Sequence, residues 1–182
     1  MIQTIHIGHL LRETVASPYR NLVTRPTGAA IRNRIQEALA GSDCLTALLD
    51  FSGIELLDFS CADEVVAKLL LADDGRGGRF VVLQGLREDQ HEAIEHVLTH
   101  HGLAVAAVAQ GEEHAEPRLL GWVTPDARVA FTCVCNRGGL TAGDLAGLLN
   151  WMVTRAEAAL TALAGHRLLR AEADRYLPLP IA

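Results

Sequence analysis

The sequence predicts an α/β fold followed by a smaller unit of short helices and a closing hairpin, and three observations predict it. Over the first two thirds of the chain, short apolar or β-branched runs alternate with amphipathic stretches, the rhythm of strands and helices stacked in layers. Residues 110–117, QGEEHAEP, break that rhythm with charge, a glycine and a proline but no hydrophobic period. Beyond the break the pattern becomes mainly helical.

Strands are expected at residues 3–7, 45–50, 79–84 and 103–109, and helices at 27–40, 60–71 and 88–101. In the first helix Ile31, Ile35 and Leu39 recur at i, i+4 and i+8, while Arg32, Arg34 and Glu37 face away. In the third, Ile94, Val97 and Leu98 form the apolar stripe, and Gly102 falls where a C′ glycine ends a helix. After the break, RLLGWV reads as a strand and residues 126–135 as a helix. Thr141 is placed to cap GDLAGLL, with Asp144 at the N3 position of a capping box. A long amphipathic helix at about 151–165 precedes two apolar runs around residues 171–174, which suit a hairpin. The domains expected are 1–110 and 117–182, with 111–116 as linker.

With 49% apolar and 21% charged residues the chain can bury a core, and at 4% aromatic content that core is built of Leu, Ala, Val and Ile. No apolar run approaches the roughly 18–20 residues that span a bilayer. The opening MIQTIHIGHL has no basic region or small-residue cleavage site, so it reads as a strand, and a cytoplasmic protein without a membrane partner is expected. Cys44, Cys61, Cys133 and Cys135 are then expected as reduced thiols. The net charge of −6 is uneven: residues 1–116 sum to −8 and residues 117–182 to +2. Only the C-terminal end is therefore open to a nucleic-acid contact, and its field is weak.

The densest signal lies in LLDFSGIELLDFSCADEVVAKLLL. A buried strand ends in Asp50, a tight SGI turn follows, and Asp58-Phe59-Ser60 opens a helix. A serine hydroxyl then lies at a helix N-terminus among carboxylates, near the carboxyl end of a strand where α/β sheets tend to place sites. One reading is local: S-C-A-D is a capping box, with Asp63 bonding back to the Ser60 N–H. The other is functional: a phosphate on Ser60 stands close to Asp58 and Asp63 and reshapes a docking surface.

The stretch resembles the STAS domain of anti-sigma factor antagonists, whose pattern is a strand ending LDLSG, a short link, then DSSG entering a helix. With TRPTGAAIRNRIQEAL before it, the chain is more similar still to the STAS-like domains of uncharacterised bacterial proteins, with an R-x-x-G helix, then DFSG and S-x-A-D-E. The resemblance covers about residues 1–110 and is specific over 50–64. Phe59 stands where the pattern has its first serine, and Cys61 where it has a glycine. The resemblance implies a STAS-like domain without catalysis or cofactor, in which Ser60 matches the serine that a partner kinase phosphorylates and Asp58 the acidic residue before it. It also implies a docking face for a kinase or an anti-sigma-like protein around Asp50, Asp58, Ser60, Cys61, Asp63 and Glu64.

The C-terminal GLTAGDLAGLLN, with VTRAEAALTALAGHRLLRAEADRYLPLP after it, resembles bacterial winged-helix domains, the helix-turn-helix variant that closes with a hairpin. The resemblance implies an output that binds DNA, as in a transcription regulator, or docks a protein. Asn150, Thr154, Arg155, Arg167, Arg170 and Arg175 are the candidates for a DNA contact. A homodimer would double that surface.

Chemistry of other kinds is weakly supported. Cys133 and Cys135, at i and i+2 of a helix, do not face one another and make a poor chelate. His91, His96, His100 and His101 bring imidazoles to i, i+4 spacing but read as solvated or capping residues, so no metal is assigned. The GRGG at residues 75–78 leads into no helix that holds a phosphate. Asp50, Asp58 and Asp63 are the carboxylates open to Mg²⁺, which keeps a metal-dependent enzyme as the least favoured alternative.

Overall fold

Four short apolar segments pair in parallel because helical segments after the first three carry the chain back across the sheet before the next strand begins. The computed structural model describes residues 1–15, 20–72, 78–111 and 116–181. The elements are β1 (Ile2–His6), α1 (Ile7–Thr14), β2 (Asn21–Leu22), α2 (Arg25–Ala40), β3 (Thr46–Asp50) and β4 (Leu56–Leu57). Next, α3 (Phe59–Ala62) runs into a π-helical turn (Asp63–Ala67) and then α4 (Lys68–Ala72). After them come β5 (Phe80–Gln84), α5 (Glu88–His101), β6 (Ala104–Val108) and β7 (Arg118–Gly121).

The main sheet has the order β1-β3-β5-β6-β7, parallel up to β6. Every residue of β3 is buried, so both its faces are covered, as continuous apolar strands of parallel sheets require. Leu49, Leu83, Ile94 and Leu98 are among the side chains sealed in that core. β2 and β4 form a separate parallel pair, a feature the sequence reading did not contain.

RLLGWV does not open the second domain, as the sequence suggested. Arg118–Gly121 is instead the antiparallel edge strand of the main sheet, paired with β6. Gly121 permits the join: its φ is +96°, and a Cβ there would lie 2.2 Å from the Leu103 carbonyl oxygen. The chain accordingly divides between Trp122 and Val123, with compact units at Met1–Trp122 and Val123–Pro180. An isolated strand pattern does not say which sheet it will join, so the expected boundary at 117 fell too early. The linker expected at 111–116 lies, for 112–115, outside the described residues, as do residues 75–77 of the GRGG segment.

The second unit comprises α6 (Pro125–Arg137), β8 (Leu140–Thr141), α7 (Ala142–Leu149), α8 (Val153–Gly165), β9 (Arg170–Glu172) and β10 (Arg175–Leu177). Its sheet has the order β8-β10-β9, antiparallel throughout. Thr141 caps α7 with the expected reciprocal bonds to Asp144. Leu145, Leu160, Leu163 and Leu168 are buried.

In the first unit α2 packs closely on α3 and the π turn, and Gly28 sets the approach. A Cβ at that position would lie 2.9 Å from the Glu64 Cβ and 3.1 Å from the Cys61 Cα. Gly28→Ala is expected to lose about 1–3 kcal/mol in urea denaturation, the overpacking exceeding the helix-propensity gain. Gly147→Ala in α7, where a Cβ meets nothing within 4 Å, is expected to gain up to about 1 kcal/mol.

Candidate functional site

The site is assembled where the chain passes from β4 into α3, and Asp58 organises it. Its Oδ1 accepts hydrogen bonds from the Cys61 N–H at 2.7 Å and the Ser60 hydroxyl at 2.8 Å, and its Oδ2 accepts the Thr24 N–H at 3.1 Å. Burial pushes the Asp58 carboxyl up, but these donors outweigh it and hold the group below its ordinary range. Asp58 is therefore the N-cap of α3, and Ser60 sits within the first turn. The capping box expected between Ser60 and Asp63 does not form, because Asp58 reaches the N-terminal amide first and Asp63 turns to other partners.

Thr24 adopts φ 72°, a costly backbone for a β-branched residue. The neighbours fix it: besides its N–H on Asp58, its carbonyl oxygen accepts the Cys61 thiol at 3.0 Å and the Gly28 N–H at 3.1 Å. Burial, with Asp58 alongside, pushes the Cys61 thiol up to about 12. Cys61 is thus protonated at neutral pH and packs as a small apolar side chain.

The π turn presents Asp63 and Glu64 together. Glu64 is 3% exposed and accepts hydrogen bonds from Arg25, Arg32 and Lys68. Asp63 accepts from Arg25 at 2.8 Å and pairs with the His101 ring at 2.7 Å. Burial raises both carboxyls, and the facing cations overcome it, so both lie below their usual values. Arg25, in the R-x-x-G stretch, bridges the two acidic residues of S-x-A-D-E and so ties α2 to the π turn.

Beside this cluster runs a groove of about 500 Å³, walled by Phe59, Ser60 and Asp63 on one side and by His96, Val97, His100 and His101 of α5 on another, with Arg25 at its margin. Phe59 is 58% exposed and its ring lies 5.0 Å from that of His96. The groove joins Ser60 to cationic and aromatic groups that the sequence reading left aside. The only sequence signals for them were Arg25 in its R-x-x-G context and the i, i+4 histidines.

Asp58, Ser60, Cys61, Asp63 and Glu64 are thus gathered around one helix start. Asp50 does not line the groove. It ends β3 almost fully buried, bonded to His6 Nδ1 and the Ser52 N–H. Asp50, Asp58 and Asp63, the carboxylates considered for Mg²⁺, are each bonded to different partners. Among the described residues no three acidic, histidine or cysteine side chains form a metal cluster.

In the second unit Arg155 makes a bidentate pair with Asp126, both bonds 2.7 Å, and lies over the Trp151 ring. Arg170 pairs with Glu172, and Arg175 donates to the Gly139 carbonyl oxygen. Asn150 ends α7 in the left-handed region at φ 53°, and Arg167 has φ 57° in the turn after α8. Thr154 is exposed on the first turn of α8, beside Met152 and Val153 at 75% and 53% exposure. Compared with protein-family models, with curated proteins and with solved structures, the chain matches none of them.

The lowered carboxyls of Asp63 and Glu64 add stability that is complete above their unfolded values and is lost as pH falls through the folded ones. Glu64→Gln is expected to cost about 1–3 kcal/mol at neutral pH, at the low end for a buried pair because Arg25 and Lys68 keep contact with water. Urea midpoints taken from roughly pH 6 down to pH 3 should fall more steeply for the native chain than for the variant. Parallel profiles would contradict the role given to Glu64.

Proposed function

We propose that the chain is a cytoplasmic regulatory protein of the partner-switching kind, in which a STAS-like first unit receives a signal at Ser60 and a winged-helix-like second unit delivers the output. The observation that carries the reading is the Ser60 hydroxyl on the wall of an open groove, already hydrogen-bonded to a carboxylate. Asp58 stands where it can accept the proton as the serine oxygen takes a phosphoryl group from a kinase-bound nucleotide. Arg25 and the α5 histidines are the groups nearby that can receive the added charge. Action by binding rather than by catalysis fits a serine whose partner is a carboxylate and a neighbouring cysteine held protonated. Among the described residues no helix is long and apolar enough to cross a membrane.

Two outputs are compatible with the second unit. Its order of helix, short strand, two helices and hairpin is compatible with a winged helix-turn-helix, a reading that favours DNA. Its surface favours a protein partner. Arg155, Arg170 and Arg175 are hydrogen-bonded or ion-paired inside the unit, and α8 begins with exposed Met152 and Val153 where a base-reading helix carries Arg, Lys, Asn or Gln. We therefore assign the second unit to protein docking, with Leu148, Met152 and Val153 as its apolar contact.

Incubation with ATP and extract of the native host, followed by intact-mass measurement, is expected to add one phosphate to the wild type and none to Ser60→Ala. An unmodified wild type, or an equally modified Ser60→Ala, contradicts the signal-receiving role. In gel shifts at low salt, random-sequence and promoter duplexes are expected to remain unbound. A shift abolished by Arg167→Ala or Arg170→Ala would return the output to DNA.

A further inference from the structure

The carboxyl ends of β1 and β3 hold a pair of side chains that the proposed switch does not use. His6 ends β1, Asp50 ends β3, and the two are opposite one another in register. Asp50 is 3% exposed, and a carboxylate so far from water is costly unless its oxygens are bonded. Its Oδ2 meets His6 Nδ1 at 2.8 Å and its Oδ1 accepts the Ser52 N–H at 2.9 Å. Gly85, at φ +71°, closes the remaining approach: a Cβ there would lie 2.9 Å from Asp50 Oδ1. The pair is thus built into the sheet, while the His6 side chain is 55% exposed.

A neutral imidazole that donates Nδ1–H to a carboxylate carries its lone pair on Nε2. This is also the pairing that orients metal-ligating histidines. On the first turn of α1, exposed His9 places its ring centroid 5.6 Å from that of His6. Two imidazoles sharing a tetrahedral ion, with metal–nitrogen bonds of about 2.0–2.1 Å, have centroids a little over roughly 5 Å apart. The two rings are within a small side-chain adjustment of that spacing.

We propose that His6 and His9 form a two-histidine site for a late first-row divalent transition ion such as zinc, with Asp50 as the positioning residue behind His6. Imidazole donors select zinc, copper or nickel over calcium and magnesium. Two protein ligands leave the other coordination positions to water or to a donor brought by a partner.

The test is a calorimetric titration of zinc chloride into the full chain carrying His96→Ala and His100→Ala, which removes the i, i+4 histidine pair of α5 and the His100–His101 ring contact. One zinc per chain is expected. Adding His6→Ala or His9→Ala should each weaken binding by about tenfold or more, and Asp50→Asn by about 10–100-fold. Both histidines are exposed, so these variants decide the matter even if Asp50→Asn fails to fold by circular dichroism. Cobalt(II) in place of zinc should show visible d–d bands that His6→Ala removes. Absence of saturable binding, or zinc affinity unchanged by His6→Ala, overturns the proposal.

Discussion

A single carboxylate, that of Glu64, is held almost out of water by three cations, and the geometry around Ser60 depends on it. Burying an ion costs several kcal/mol unless partners replace its water, so Arg25, Arg32 and Lys68 must stay where they are for the π turn to stay where it is. Arg25 and Arg32 are a heptad apart on α2 and reach the same carboxylate, which ties that helix to the turn. Gly28, between them, allows the contact by carrying no side chain. The ion cluster and the close packing are two sides of one constraint: either a larger residue at 28 or a neutral one at 64 would loosen the same joint.

The joint explains why the helix is irregular at this point. Glu64, Val65, Val66 and Ala67 are four successive buried residues, more than one face of a regular α-helix can hide. The segment lies between α2 and α5, and the π turn widens it so that Asp63 and Glu64 meet α2 while the valines enter the core. Asp58 then caps the preceding turn and holds Ser60 and strained Thr24 in place. Ser60 owes its position on the groove wall to contacts on both sides of it.

Much of this was legible in the residues. Hydrophobic periodicity located the parallel strands and the long helices, because burial imposes it directly. Asp58 and Ser60 stood out as a polar pair opening an apolar helix, and Thr141 with Asp144 showed its capping bonds in its spacing. What escaped was set by neighbours distant in sequence. The allegiance of Arg118–Gly121 to the first sheet depends on a glycine accommodating the Leu103 carbonyl, and the capping role went to Asp58 because the turn brought it within reach. The groove needs α5 beside α3, which no local pattern encodes. Asp50 was grouped with Ser60 by proximity in the chain, yet its place in β3 gave it to His6.

In the proposed switch, Arg25 is shared between the groove that Ser60 lines and the Glu64 cluster. A phosphate on Ser60 would then compete with Glu64 for Arg25, which fastens α2 to the π turn. Amide hydrogen exchange on Arg32→Ala tests this coupling most directly, since Arg32 touches Glu64 and does not line the groove. The account predicts that amides from Ser60 to Lys68 lose protection while those of β3 and β5 keep it. Unchanged protection at Ser60 and Cys61, or an equal loss across the whole sheet, would contradict it.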